Sequence, residues 1–245
     1  MIRGLYSSAD GLLVQAARTD VIAGNLAGAS VPGFRRDVLS VTAFGRALEY
    51  TAGGAAAGVP NGVLLEASTE LDLRPGSMRR TGAECDIALE GPGYFCVQTA
   101  AGEAYTRGGA FRLDASHQLV TAAGDAVVGQ AGPIRIDGAD IAFRENGDVV
   151  VDGTRVDRLK LVDFPAGVPM RKLGRGLLGA DPASARPHDP AKVRVREGYL
   201  EGANVDAISE MVGMISALRA FEASQRALQA NDQTLEKAIN EIGRV

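Results

Sequence analysis

The sequence predicts an α+β protein. Its middle is a mostly antiparallel, all-β domain, sandwich- or barrel-like, and its two ends are helices with the spacing of a coiled-coil-like assembly domain. Three observations carry this. Near the C-terminus a 3–4 spacing picks out Met211, Met214, Leu218, Phe221, Gln225, Leu228, Asp232, Leu235, Ile239 and Ile242, eight of the ten apolar. Near the N-terminus the same spacing picks out Ile2, Leu5, Ala9, Leu12, Ala16, Thr19, Ala23 and Leu26, seven of the eight apolar counting Ala. Between them the apolar period falls to two and turn dipeptides multiply. A stripe recurring about every 3.5 residues marks a helix that buries one narrow seam, whereas alternation marks strands.

Taken in order, the first helix covers residues 2–27. Gly28 weakens it and Val31-Pro32-Gly33 ends it, because a residue before proline is pushed out of the α region and glycine turns freely. Phe34 to Leu48 reads as an extended or helical follow-on. Residues 51–62, without bulky apolar anchors, read as a flexible loop. From about Val63 short strands follow: Leu71–Leu73, Ile87–Leu89, Tyr94–Gln98, Ala104–Arg107, Ala110–Leu113 and Gln118–Thr121. Asp137-Gly138, Asn146-Gly147 and Asp152-Gly153 sit between β-type runs as hairpin turns. Arg158–Phe164 alternates, with Leu159 and Leu161 on one face. Pro182, Pro187 and Pro190 punctuate a loop, and Lys192–Arg196 is a last strand. Asn204 or Asp206 caps the final helix, whose positive start suits Glu210. The expected segments are 1–36 (helix and turn), 37–64 (linker), 65–200 (β-rich domain) and 201–245 (C-terminal helix).

Composition narrows function. The 245 residues are 46% hydrophobic with 5% aromatics and no Trp, a poor palette for stacking bases or sugars. A net charge of -4 offers no basic field to nucleic acid. No stretch approaches the ~18 apolar residues of a membrane span. Asp10 interrupts the N-terminal stripe, so a cleavable secretory signal is not expected there. Gly174-Arg175-Gly176-Leu177-Leu178-Gly179 matches G-x-G-x-x-G, but Asp181-Pro182 stops any helix that a pyrophosphate site would need. Cys85 and Cys96 read either as a disulfide or as two buried thiols, the commoner case. His117 and His188 lack triad or zinc partners. Asp137, Asp140, Asp148 and Asp152 lack the closing Glu of a calcium loop and belong to turns. No catalytic residue, cofactor or metal is expected.

Two helices set at opposite ends of a β region suit assembly better than catalysis. Eight apolar side chains on so long a helix return little more than its ordering costs, so the ends are expected to become firm only on packing against other chains. The expected assembly interface is Ile2, Leu5, Ala9, Leu12, Ala16, Ala23, Leu26, Met211, Met214, Leu218, Phe221, Gln225, Leu228, Asp232, Leu235, Ile239 and Ile242. Gln225 and Asp232 are polar seam positions, which either set register or face a wet joint.

Three separated blocks carry a resemblance. Leu5-Tyr6-Ser7-Ser8-Ala9-Asp10-Gly11-Leu12, Asp20–Ala27 and Val31-Pro32-Gly33-Phe34-Arg35-Arg36 form the first. Asp86–Phe95, Tyr105–Phe111 and Leu119–Gly124 form the second. Tyr199-Leu200-Glu201-Gly202-Ala203-Asn204-Val205-Asp206, with Glu210–Ile215 and Arg219–Glu222, forms the third. Together they resemble the bacterial flagellar basal-body rod and hook proteins over nearly the whole chain. Val127-Val128-Gly129, Gly132-Pro133-Ile134, Val151-Asp152-Gly153 and the ending Asn240–Val245 look most like the proximal-rod members. So does the short stretch before the β-domain, where distal-rod members carry a longer insertion. Gly24 and Gly28 depart from the Asn often found there, and Asp10 from Ser. The resemblance implies a non-enzymatic axial subunit, its terminal helices forming an axial domain. It implies copies of itself and other rod proteins as partners, delivery by the flagellar type III export apparatus, and a place in the periplasmic rod of the basal body. A distal-rod role and a secreted β-rich binding module are the alternatives.

Overall fold

The computed structural model describes residues 2–43, 65–165, 167–180, 187–190 and 192–242. The loop expected at 51–62, Val63, Pro182 and the last three residues lie outside these. The chain divides into two compact units. One comprises Met1–Ala27, Asp37–Asp72 and Asp206–Val245, the other Gly28–Arg36 and Leu73–Val205.

The first unit holds the helix α1, Ile2–Gly28, the antiparallel strands β1, Asp37–Ala43, and β2, Leu65–Leu71, and the helix α2, Ala207–Ile242. In the β1–β2 ribbon Asp37 lies opposite Leu71 and Ala43 opposite Leu65. The helix α2 begins at Asp206, one of the two expected caps. Its carboxylate accepts from the Ile208 N–H at 3.2 Å, a main-chain donor that a helix start leaves open, and from the Ser209 hydroxyl at 2.6 Å. These bonds hold the Asp206 carboxyl below its ordinary value, the Ser209 hydroxyl foremost. After α1, Val31 N–H closes onto the Gly28 carbonyl at 3.0 Å, and the chain leaves the helix at the expected place.

Among the described residues, the second unit holds the remaining fifteen strands. They are β3 (Met78–Arg80), β4 (Ile87–Glu90), β5 (Tyr94–Thr99), β6 (Gly102–Thr106), β7 (Phe111–Leu113), β8 (Leu119–Thr121), β9 (Ala126–Val127), β10 (Ile141–Phe143), β11 (Asp148–Val151) and β12 (Thr154–Arg158). They end with β13 (Leu161–Val162), β14 (Met170–Gly174), β15 (Leu177–Ala180), β16 (Arg194–Glu197) and β17 (Tyr199–Glu201). The largest sheet runs β14-β15-β6-β5-β9-β8-β7, with β13 also on β5. A second sheet is β10-β11-β12, and two short pairs join β16 to β4 and β17 to β3. All of these pairings are antiparallel.

The barrel-like part of the expectation fails. The large sheet is open, because its terminal strands β14 and β7 are not paired with each other. Strands β7 and β8 have three residues and β9 two, too few to carry the stagger that closure demands. The core lies between the sheets and is built from Ile87, Leu89, Phe95, Val97, Phe111, Leu119, Ile134, Ile136, Phe143, Val149 and their neighbours. Phe95 and Phe111 meet edge to face, centroids 5.3 Å apart. The alternation expected over Arg158–Phe164 also breaks: Leu159 and Val162 are the buried residues, and Leu161 is only partly covered. The chain crosses there from β12 in one sheet to β13 in the other, which resets the parity of inward positions.

Candidate assembly site

Three stretches of the second unit converge on one buried carboxylate. Glu201 ends β17, 1% exposed. Its Oε1 accepts from Arg35 Nη2 at 2.6 Å and from the Gly76 N–H at 2.9 Å, and its Oε2 lies 3.4 Å from Arg107 Nη1. Its main-chain carbonyl accepts from the Gly33 N–H at 2.8 Å. Arg107 also donates to the Leu89 carbonyl at 3.1 Å and the Gly91 carbonyl at 2.5 Å. Asn204 extends the clasp. Its Oδ1 accepts from Arg36 N–H at 2.7 Å, its N–H donates to the Phe34 carbonyl at 3.2 Å, and its Nδ2 donates to the Arg74 carbonyl at 3.0 Å.

The electrostatics follow from burial. Two guanidinium groups share one carboxylate, and charges removed from water need partners or they cost several kcal/mol. Burial pulls Arg107 below its ordinary value, and the Glu201 carboxylate pulls it back up. Burial raises Tyr94, while Arg35 and Arg107 beside it act the other way; the Arg107 guanidinium stands 5.5 Å from the Tyr94 ring centroid. Three guanidinium nitrogens remain without a partner: Nε and Nη1 of Arg35, and Nε of Arg107. A cavity of about 580 Å³ opens beside Arg107, walled by Tyr94, Phe164, Pro165, Met78 and Met170.

In the first unit α1 and α2 touch. Ile22 Cδ1 lies 3.6 Å from where a side-chain carbon on Gly213 would stand, and Asn25 Nδ2 is 3.5 Å from Glu210 Oε1. Asn25, 2% exposed, also pairs with the main chain of Asp37, donating to its carbonyl at 2.9 Å and accepting from its N–H at 2.8 Å. Among the described side chains of this unit Ile22 and Ala217 are the buried apolar ones. The covered side of α2 therefore runs through Glu210, Gly213, Met214, Ala217, Phe221, Ser224 and Leu228. The other side leaves Ile208, Met211, Val212, Ile215 and Leu218 between 47% and 74% exposed, and α1 leaves Leu13 70% exposed.

The expected interface residues thus fall on both sides. Met214, Phe221 and Leu228 are half-buried, as are Leu12 and Leu26. Met211, Leu218, Gln225, Asp232, Ala16 and Ala23 are exposed. The side chains of Ile2, Leu5, Ala9, Leu235, Ile239 and Ile242 lie outside the described set. Sequence reasoning quoted the segments holding Arg35, Arg107 and Glu201 but singled out none of them. Positions 35, 107 and 201 share no spacing, so only the folded chain brings them together.

The other motifs resolve into structural elements. Gly174–Gly179 is the β14–β15 hairpin, turning through Arg175 and Gly176 at φ of 54° and 74°, with a strand rather than a helix after it. Asp152-Gly153 turns β11 into β12 in the same way, at φ of 49° and 79°. Cys85 and Cys96 are free thiols, and burial drives Cys96 far above the ordinary thiol range. His117 and Asp137 form an exposed pair at 3.3 Å, and His188 bridges to Asp163 in the backbone.

The convergence of all three blocks on one clasp agrees with the comparisons. Residues 196–241 match the family described as flagellar basal body rod FlgEFG protein C-terminal, and residues 88–151 the flagellar hook protein FlgE/F/G D1 domain. The flagellar basal-body rod protein FlgF of Escherichia coli (strain K12) is 35% identical, covering 89% of each chain. FlgG of Bacillus subtilis (strain 168) is 30% identical over 98% of this chain and 99% of its own. FlgF of Rhizobium meliloti (strain 1021) is 30% identical over 99% of both. The chain belongs to the flagellar basal-body rod protein family. As a rod protein it is a structural subunit and not an enzyme. Within the family match, the C-terminal model begins in β16 and takes in Glu201, Asn204 and most of α2, while the hook-type model covers β4 to β11 and with them Arg107.

Proposed function

We propose that this rod protein polymerises through α1 and α2 into a helical tube that transmits torque, as a subunit of the proximal rod. The observation that carries this is the apolar stripe Ile208, Met211, Val212, Ile215 and Leu218, left uncovered along three turns of α2. Large apolar groups at such spacing need a partner helix, and α1 already occupies the side through Gly213. A neighbouring helix on the free side builds a coiled-coil-like axial domain, and repeating one heterologous contact generates a tube. Copies of this chain and other rod components supply the neighbours, and the flagellar export apparatus delivers them to the basal body. The expected interface set, from Ile2 to Leu26 and from Met211 to Ile242, belongs to this layer, with Gln225 and Asp232 setting register. The β-rich segment forms the outer layer. The proximal assignment draws on the resemblance at Val127–Gly129 and Val151–Gly153 and on the likeness to FlgF.

Leu218→Asp tests the reading. The variant is expected to fold normally as a free chain, to be missing from isolated basal bodies and to abolish motility. Normal incorporation would remove the stripe from the assembly.

A further inference from the structure

The Asn146-Gly147 dipeptide between β10 and β11 carries a reactivity that rod assembly does not use. Glycine has no side chain to shield its nitrogen, so in a loose chain the Gly147 nitrogen can attack the Asn146 side-chain amide. The N–Cγ bond forms, the Cγ–Nδ2 bond breaks, and Nδ2 leaves as ammonia with the Gly147 proton. Water then opens the cyclic imide at either carbonyl, leaving aspartate or isoaspartate. Ring closure needs the Gly147 nitrogen turned onto Cγ and free to lose its proton. The hairpin withholds both. The Gly147 N–H donates to the Arg144 carbonyl at 2.9 Å, and the Gly147 carbonyl accepts from the Leu159 N–H at 2.9 Å. Gly147 is itself buried, under the side chains of Leu161, Arg158 and Val195. The exposed Asn146 side chain is tied at both ends: Oδ1 accepts from the Asp148 N–H at 3.1 Å, and Nδ2 donates to Asp148 Oδ2 at 2.7 Å. The opposite amide orientation would set oxygen against carboxylate, so the chemistry fixes this one. Asp148 is held in turn by Arg158 at 2.7 Å and Arg155 at 3.2 Å, and the Glu145 carbonyl accepts from the Val195 N–H at 2.9 Å.

We propose that Asn146 is a self-modification site that folding closes: a chain held open deamidates there, and a chain folded around this hairpin does not. The change is an irreversible mark of time spent unfolded, and it weakens the fold that would have prevented it. An aspartate at position 146 meets the Asp148 carboxylate where Nδ2 now donates, and two carboxylates at that distance oppose each other. An isoaspartate adds a main-chain atom just before β11, whose Val149 and Val151 enter the core from alternate positions. The site is independent of the terminal helices, so its test does not depend on assembly.

The full chain is incubated at mildly alkaline pH, once in buffer and once in guanidinium chloride, and the tryptic peptide Glu145–Arg155 is followed by mass spectrometry. Asn61-Gly62, outside the described residues, is the positive control in guanidinium. Asn146 is expected to react at least about thirtyfold more slowly in buffer, because only the locally open fraction is competent. A smaller ratio would overturn the proposal. Asp148→Ala releases Nδ2 and should speed the reaction in the folded chain about two- to fivefold, the scale of one exposed charged contact. An unchanged rate would remove Asp148 from the closure. If that variant unfolds, hydrogen exchange at the Gly147 amide of the unaltered chain decides: slow exchange supports the closure, free exchange overturns it. Chains aged in guanidinium and returned to buffer test the consequence. The modified fraction should have the lower urea midpoint, and equal midpoints would overturn the weakening.

Discussion

At the scale of the residue, Glu201 holds two buried cations and two main-chain donors. Replacing it leaves both guanidinium groups without their shared counter-charge. Glu201→Gln should lower stability by about 3–5 kcal/mol, the cost of breaking a buried pair, read as a lower urea midpoint at unchanged m-value. Gly109 tests close packing. Any side-chain carbon there runs into the Ile87 carbonyl, where the Ile87 N–H already donates to the Gly109 carbonyl at 3.0 Å. Gly109→Ala should cost about 1–3 kcal/mol, visible as a lower Tm. Asp148 gives the pH dependence. Its hydrogen bond from Arg158, 2.7 Å long, holds the carboxyl below its ordinary value. The folded state thus binds that proton less readily than the unfolded chain. The stabilisation is complete above the ordinary value of about 3.9 and is lost as pH falls through the lower folded value. Arg158→Met should flatten this acid limb of the stability curve; an unchanged limb would place the effect elsewhere. Glu201 and Gly109 did not announce themselves in the sequence, and Asp148 was read there only as a turn residue, whereas it opens β11. Arg35, Arg107 and Glu201 look like any surface charges until strands β6 and β17 bring them to one point. Asp152-Gly153, by contrast, was legible because a two-residue turn depends only on its own backbone.

At the scale of the element, the two sides of α2 make opposite predictions. Ala217 is 3% exposed and its neighbour Leu218 47%. Ala217→Glu should separate α1 from α2 and reduce helicity in the free chain, measured by circular dichroism. Leu218→Asp should change the stability of the free chain by no more than about 0.5 kcal/mol, as surface substitutions do. The apolar period of α2 was readable, since it recurs over many turns. Which side meets α1 was not, because Gly213 and Ala217 are small and a stripe search passes over them in favour of Met211 and Leu218. The sheet was readable wherever strands alternate or turns are local. It was misread at Leu159–Val162, where the chain changes sheets, and in the barrel-like closure, which depends on the register of strands far apart in sequence.

At the scale of the whole molecule, stability is unevenly distributed. The buried apolar side chains from Ile87 to Leu200 all belong to the second unit, and the described part of the first has Ile22 and Ala217. Hydrogen exchange on the dilute chain should therefore show amides of β4 to β6 opening only with global unfolding, and those of α2 at much lower free energy. Equal protection of Phe95 and Ile215 would contradict this and the idea that the helices firm up on assembly. The clasp adds a mechanical result. The chain passes between the units near residues 28, 36, 72 and 205. Gly33, Arg36, Arg74 and Gly76 are each bonded to Glu201 or Asn204. Within the second unit, the segments 33–36, 74–76 and 201–204 are thus tied to one another by a few short hydrogen bonds. A pull on any one of these segments would load those bonds together, a useful property for a junction in the torque-bearing tube proposed above.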